Sequence, residues 1–456
     1  MRLERLTLAN FRGFEQIEIG FEADITVIAG VNGVGKSGVL RALAVAISHG
    51  LPAFSACKEA PLGLNDTDVQ FGKPALALSM TLFLPDAEVR VDVNRTAPLD
   101  PAKADALIKR RDELRFATRE TKKGSKEEQA LNDDLRLIEH QLAGAADLPT
   151  VRVLPADAAT SPEVYATAAK AATNQPFAVY YSTARLLSRM PPLLPRMRPL
   201  TVSAAYEKAL SQLEVSLNDF ANWARVVAAQ RERTLAIRLF RELSRAMRSF
   251  IPGMSHLRLH ETRPPRFSVQ KQGSRLYLEQ LSDGEQGLLA LVFDLTRRLA
   301  IANPSLDNPI RDGVALVLID EIELHLHPLW QRDVVKRLLK TFPACQFVLS
   351  THSPQVLGEV EARCVRLLSF KAGKVLCETP AMALGTDSNW ILNVLMGADK
   401  MNEEVEWELE KISSLVAARE LDRAKAKLQA LRDRLGNTEA IQLSFSTIER
   451  IERLGR

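Results

Sequence analysis

The stretch GVNGVGKS, Gly30 to Ser37, decides the reading of this 456-residue chain. It fits the pattern G-x-x-x-x-G-K-[ST], with Gly30, Gly35, Lys36 and Ser37 at the fixed positions. Its flanks agree with it: Ile25-Thr26-Val27-Ile28 reads as a short buried strand, and Val39–Ala44 reads as a helix. In that order the glycines let backbone N–H groups converge on phosphate oxygens, and the helix N-terminus adds partial positive charge. Asn32 and Gly33 complete the loop around the phosphates. Lys36 is expected to bridge the β- and γ-phosphates and the Ser37 hydroxyl to bind Mg²⁺, so ATP and Mg²⁺ are the expected cofactors.

The rest of the composition sets bounds. The chain is long enough for two or three domains, and 46% hydrophobic with 25% charged residues is ordinary for a globular protein. A net charge of +4 neither demands nor excludes nucleic acid. Cys57, Cys345, Cys364 and Cys377 are scattered without metal-like spacing and read as reduced, mostly buried thiols. The first residues, MRLERLTLANF, alternate like a strand rather than a signal peptide. No apolar run approaches the roughly 18 residues of a membrane span, so the expected location is cytoplasmic and no membrane partner is expected.

Before the loop, the residues to Ile28 read as three strands with a turn at Phe11–Phe14, and Ala75–Leu84 and Glu88–Val93 as a hairpin. Leu107, Leu114, Leu131, Leu135, Ile138 and Leu142 recur at helical spacing, interrupted by Lys122–Lys126, which predicts a helical hairpin with a basic tip. Phe177–Tyr181 reads as a buried strand, and Met190–Leu200 as a loop. Residues 203–250 read as strongly helical. Arg225, Arg231, Arg233, Arg238, Arg241, Arg245 and Arg248 there form a solvated face or a surface for nucleic acid or a partner. Arg258–Leu278 reads as strands.

A second group of motifs follows. Leu281–Gln286, LSDGEQ, precedes a helix over Gly287–Leu299; Ser282 either caps it or, with the same amides, receives a phosphate. Val314–Ile319 is a continuous apolar run, suited to a buried parallel strand, that ends in Asp320 and Glu321. Carboxylates at the C-terminal end of such a strand sit where ligands bind in open α/β sheets. Asp320 is expected to hold Mg²⁺, and Glu321 to face the γ-phosphate and activate water. His325 and His327 are two apart, which fits neither a helical zinc pair nor a closed site. Gln346–Ser350 is another buried strand, and His352 at its tip is either a core histidine or a γ-phosphate sensor.

GVNGVGKS, LSDGEQ, VLIDE, ELHLHP and STHSP, in that order, resemble the ABC-type ATPases of the RecF, SMC, Rad50 and OLD group. The resemblance covers residues 1–93 and 265–370. It implies an α/β fold: a P-loop ATPase head with a mixed sheet and an antiparallel β subdomain, a helical insertion and C-terminal helices. It also implies a dimer in which Ser282 and Gly284 of one copy meet the nucleotide of the other. Arg12, in the turn Asn10–Phe14, is expected to reach that nucleotide, and Gln70 is the candidate metal-contacting glutamine. Asp283 stands where many relatives have glycine, as in the SMC-like branch.

The resemblance divides the chain into residues 1–99 and 265–380 as the head, 100–147 as a helical hairpin, 148–264 as a mixed insertion and 381–456 as a helical docking region. The insertions are too short for long coiled coils, and no E…DxD pattern of a Toprim nuclease follows His352. LGTDSNWILNVLMGADK, residues 384–400, with helices Glu403–Ala418 and Leu421–Leu435 behind it, resembles ATPase subunits of Septu-like and retron-associated antiphage modules. Those work with a separate HNH nuclease. The expected function is therefore an ATP-gated dimer controlling a partner nuclease. The alternatives are a RecF-like repair ATPase that binds DNA and, less favoured for want of a membrane segment, a transporter subunit.

Overall fold

The computed structural model describes residues 1–96, 101–120, single positions between 131 and 138, and 147–211, 214–229, 233–395 and 403–454. The basic tip at Lys122–Lys126, Leu142 and Arg231 lie outside them. The chain divides into two units, Met1–Ile391 and Leu392–Arg456.

In the first unit, β1 (Arg2–Phe11), β2 (Phe14–Gly20), β4 (Ala75–Leu84), β5 (Ala87–Thr96) and β6 (Asp147–Pro155) form an antiparallel sheet in the order β2-β1-β4-β5-β6. Its strands alternate buried and exposed residues, as a sheet with one covered face requires. The second sheet runs β16-β15-β3-β14-β13-β7, with β3 (Ile25–Ala29), β7 (Phe177–Tyr181), β13 (Ala315–Ile319), β14 (Gln346–Thr351), β15 (Val365–Lys371) and β16 (Lys374–Glu378). Neighbours are parallel except β15 and β16. Every residue of β3, β13 and β14 is buried, the pattern of parallel strands covered on both faces. Helix α1 (Lys36–Phe54) packs on strands of both sheets. Gln346 ties the sheets together: its side chain accepts from the Leu3 amide at 2.6 Å and donates to Leu3 and Glu22 carbonyls at 2.9 and 2.7 Å.

One correction concerns α1. By length and composition it is the one described helix able to cross a membrane, although no apolar run of that length was expected. Fourteen of its residues are buried in the core, which accounts for its apolar character.

Phe177–Tyr181, expected as a buried strand, pairs in register with β13, Tyr181 opposite Ile319. Helix α2 (Pro101–Glu120) contributes Leu114 to a small cluster with Leu135 and Ile138, against which Leu107 and Leu131 pack. After α3 (Pro162–Ala171), the short pair β8 (Leu186–Leu187) and β9 (Glu214–Val215) leads to α4 (Leu217–Ala228) and α5 (Arg233–Phe250). The meander β10 (Met254–His260), β11 (Arg266–Lys271) and β12 (Ser274–Tyr277) precedes α6 (Asp283–Ala302). Phe220 of α4 stacks on Phe293 of α6 with ring centroids 4.4 Å apart. Helix α7 (Pro328–Thr341) lies between β13 and β14 in sequence; His327 Nδ1 accepts from the Leu329 amide at 3.3 Å and caps it.

Among the described residues, the second unit holds the α-helices α8 (Glu403–Ala417), α9 (Leu421–Leu435) and α10 (Glu439–Leu454). Ile412, Ala424, Leu428, Leu431, Ile441 and Ile448 form its core. The reading of two helices missed α10, whose inward positions Ile441, Phe445 and Ile448 recur at i, i+4 and i+7, with the exposed Leu443 and polar residues between them.

Candidate active site

Strands β3, β14 and β13 are neighbours and parallel, with Thr351 opposite Ala29 and Leu349 opposite Ile319. The segments that follow them therefore leave from one edge of the sheet: the glycine loop, Asp320–Glu321 and His352. That edge is where open α/β sheets bind ligands.

The loop is fixed by its own sequence. Gly35 has φ 111°, and a Cβ there would lie 2.5 Å from the Phe14 ring, so only glycine fits between the Phe11–Phe14 turn and α1. Gly30 and Gly33 also have positive φ, and Asn32 is exposed at the tip. Lys36 Nζ donates to the Gly30 and Val31 carbonyls at 2.9 and 3.0 Å. Burial lowers its pKa, opposed by the charges of Glu323, Glu321 and Asp320.

Ser37 Oγ donates to Asp320 Oδ1 at 3.1 Å across a sequence separation of 283 residues. A hydroxyl and a carboxylate so placed are hard oxygen donors of the kind Mg²⁺ takes. The Asp320 carboxylate also accepts from Ser350 Oγ, which itself accepts from the Glu321 amide at 2.8 Å. Burial first, and the Asp320 charge second, raise the pKa of Tyr180. Glu321 has φ 45°, a left-handed conformation that a residue with a side chain rarely adopts.

Glu323, two residues on, is only 6% exposed. Its carboxylate accepts from Thr351 Oγ1 and the His352 amide, both at 2.8 Å, and lies 3.3 Å from His352 Nδ1. It thus sets the end of β14, a role the sequence reading did not give it.

Arg12 and Gln70 come together. Arg12 Nε donates to the fully buried Asp68 at 2.7 Å, and its Cδ lies 3.7 Å from where a Gly38 Cβ would be, over the first turn of α1. The Gln70 amide donates to the Asn10 carbonyl at 2.8 Å, while Gln70 Oε1 is buried with no hydrogen-bond partner among the described residues. That orphaned oxygen suits a residue whose expected partner is a cation.

Ser282 is exposed at the start of α6 and shares a capping box with Glu285, its Oγ 3.1 Å from Glu285 Oε2. Lys271 pairs with Glu285 at 2.5 Å. Gly284 is buried, and a Cβ there would come within 2.3 Å of the His325 carbonyl. Its lack of a side chain is thus required by packing within its own chain, against the ELHLHP loop.

Arg185 was missed. One to four residues past β7, Ser182–Arg185 turn toward the end of β13, and Arg185 Nη1 donates to the Asp320 carbonyl at 2.5 Å. The only sequence signal is an arginine just beyond a buried strand, and its meaning depends on which strand lies beside it.

Two family models match: "AAA ATPase domain" over residues 1–142 and "AAA domain, putative AbiEii toxin, Type IV TA system" over residues 193–358. The chain is 45% identical over 150 residues, 33% of its length, to the retron Ec83 probable ATPase of Escherichia coli. It is 39% identical over 160 residues, 35% of its length, to the retron Vc95 probable ATPase of Vibrio cholerae. The matched stretches span 27% and 30% of those proteins' own lengths. A third relative, Septu protein PtuA of Bacillus mycoides, is 43% identical over 92 residues, 20% of this chain and 12% of that one. Among solved structures, the SMC head domain of Thermotoga maritima aligns over 84% of this chain and 100% of its own at 14% identity, TM-score 0.42. With the order and placement of its motifs, the two family models and these relatives make the matched residues similar to ATPases, in keeping with the resemblance to the ABC-type ATPases of the RecF, SMC and Rad50 group.

Proposed function

We propose that this chain hydrolyses ATP in a head-to-head dimer and uses that cycle to gate a partner nuclease in bacterial antiphage defence. The observation that carries the reading is the gathering of Lys36, Ser37, Asp320, Glu321 and His352 at one sheet edge from three adjacent strands. The similarity to retron ATPases and a Septu protein supports the defence role, and the HNH class of the partner follows from the resemblance of residues 384–400.

In this reading the loop amides and Lys36 bind the β- and γ-phosphates, and Arg12 approaches the nucleotide over the start of α1. Ser37 and Asp320, with Gln70 as a further donor, would hold Mg²⁺, which when bound would supply neutralising charge beside the phosphates. Glu321 orients the attacking water and accepts its proton. His352, set by Glu323, senses the γ-phosphate. Ser282 and Gly284, at the N-terminus of α6, close the site of the other copy; the exposure of Ser282 and Asp283 suits that contact.

Glu321→Gln tests the chemistry. It should retain ATP binding, slow hydrolysis and accumulate a nucleotide-bound dimer in size-exclusion chromatography with light scattering. Hydrolysis at the wild-type rate would remove Glu321 from the mechanism. Copurification with the product of the adjacent gene tests the partner; an HNH protein that is retained and cleaves DNA under nucleotide control supports gating.

The RecF-like alternative rests on the arginines around α5. Arg225, Arg238 and Arg245 are engaged with Glu261, Asp307 and Glu242, so that face offers less unpaired charge to DNA than its composition suggests. DNA-stimulated ATPase activity without a copurifying partner would favour it.

A further inference from the structure

We propose that Arg185 is a positioning residue for hydrolysis, its guanidinium holding the main chain after β13 in the turn that presents Glu321. The proposal rests on the reading of Glu321 as the group that acts on water.

Arg185 is 7% exposed, four residues beyond β7, the strand that pairs with β13. Its hydrogen bonds go to main-chain oxygens. Nη1 reaches the Asp320 carbonyl at 2.5 Å and that of Ser182 at 3.3 Å; Nη2 reaches Glu321 at 2.7 Å and Ile322 at 3.3 Å. Three successive carbonyls thus converge on one planar fork, a geometry that a lysine ammonium, a point charge on a flexible stem, does not reproduce. Between them lies Glu321 at φ 45°. A non-glycine residue persists in such a conformation only where its surroundings over-determine it, and such strain clusters at functional positions.

Two further groups define the same turn. Ser350 Oγ accepts from the Glu321 amide at 2.8 Å, and the Ser350 carbonyl accepts from the Ile322 amide at 3.1 Å. Glu321 is therefore gripped by its amide from the β14 side and by its carbonyl from the β7 side. Burial disfavours the Arg185 charge and lowers its pKa, and the nearby Glu323, Asp320 and Glu321 carboxylates offset part of that cost. The arginine thereby links the edge strand of the sheet to the residue placed for chemistry, without itself facing nucleotide in the proposal.

The test is steady-state ATPase kinetics of Arg185→Lys and Arg185→Met beside Glu321→Gln and the double variant Arg185→Lys/Glu321→Gln. Affinity for a fluorescent ATP analogue and thermal melting are measured on each. Because an ångström-scale misplacement of a reacting group costs on the order of 10²-fold, Arg185→Lys should lose roughly 10- to 100-fold in kcat. Its KM and analogue affinity should stay within about threefold, and the double variant should be no slower than Glu321→Gln alone, as expected for residues acting as one unit. A kcat within twofold of wild type for Arg185→Lys and Arg185→Met overturns the proposal. So does joint loss of kcat, affinity and melting temperature in both variants, which marks a merely structural role. Wild-type hydrolysis by Glu321→Gln would instead overturn the reading of Glu321 on which the proposal rests.

Discussion

Glu323 and His352 meet through the backbone: the buried Glu323 carboxylate accepts from the His352 amide at 2.8 Å and lies 3.3 Å from its Nδ1. The same carboxylate accepts from Thr351 Oγ1 at 2.8 Å, whose oxygen in turn accepts from the Ser353 amide at 3.0 Å. The residue proposed to sense the γ-phosphate is thus held by a carboxylate from the loop after the neighbouring strand. Removing that acceptor leaves buried donors unsatisfied, which costs roughly 1–3 kcal/mol. Glu323→Ala should lower the melting temperature and reduce kcat more than Glu323→Gln, which keeps a side-chain acceptor. The check is melting and ATPase rate on both variants; equal and undiminished rates would detach Glu323 from the site.

Asp294 of α6 offers a pH-dependent test. It is 2% exposed, accepts from Arg297 and Arg298 at 2.7 Å each and from the Tyr181 hydroxyl at 3.1 Å. Burial alone would raise its pKa, but the Arg298 and Arg297 charges outweigh burial and hold it at about 2, below its ordinary 3.8. A carboxylate with a depressed folded pKa contributes stability that is present above its unfolded pKa. That stability is lost as pH falls through the folded value, here from about 4 toward about 2. Asp294→Asn should destabilise the first unit by on the order of 3 kcal/mol near neutral pH, because two buried guanidinium groups lose their counter-charge. Denaturant unfolding of wild type and variant should show a gap that narrows as pH drops below about 4. A gap independent of pH would contradict the ion-pair account.

The sequence made some of this legible and hid the rest for identifiable reasons. Parallel core strands announce themselves, since β13 is an unbroken apolar run, β3 is apolar apart from Thr26, and glycine spacing fixes the loop between β3 and α1. Local signals also found the Ser282 cap and the Phe11–Phe14 turn. What could not be read was which strands become neighbours. Phe177–Tyr181 was recognisable as buried, but its place beside β13, and with it the role of Arg185, follows only from tertiary pairing. Glu323 was hidden similarly, because its partners Thr351 and His352 are 28 and 29 residues away. The helix α10 was legible but overlooked: Ile441, Phe445 and Ile448 recur at i, i+4 and i+7, the spacing of one helix face, and they join the cluster of Leu428 and Leu431.

The tail sets a sharper truncation point than composition alone. Ile391 is fully buried in the first unit, and the Gly385 amide donates to the Gly358 carbonyl at 2.8 Å, so a cut near Gly385 would remove part of that unit. Ending the chain after Leu395 removes helices α8 to α10 and spares Ile391. This truncated protein should keep ATPase activity within about twofold, the strands and loops of the candidate site all lying in the first unit, and lose the product of the adjacent gene in a pull-down. Retention of that partner would move docking to the first unit, and an inactive, folded truncation would assign the helices to the ATPase itself.

The central claim is that two copies complete one another's sites. Ser282→Arg blocks the surface offered to the other copy while leaving the glycine loop intact, and Lys36→Ala removes a charge-assisted phosphate contact while leaving Ser282 intact. Because Ser282 also caps α6, melting must first show that Ser282→Arg remains folded, the lost cap costing about 1 kcal/mol. Each variant alone should be inactive. Mixed in equal amounts, they should recover roughly a quarter of wild-type ATPase activity, since half of randomly paired two-fold dimers are mixed and each carries one intact composite site. No recovery from two soluble variants shown to exchange subunits would contradict the account.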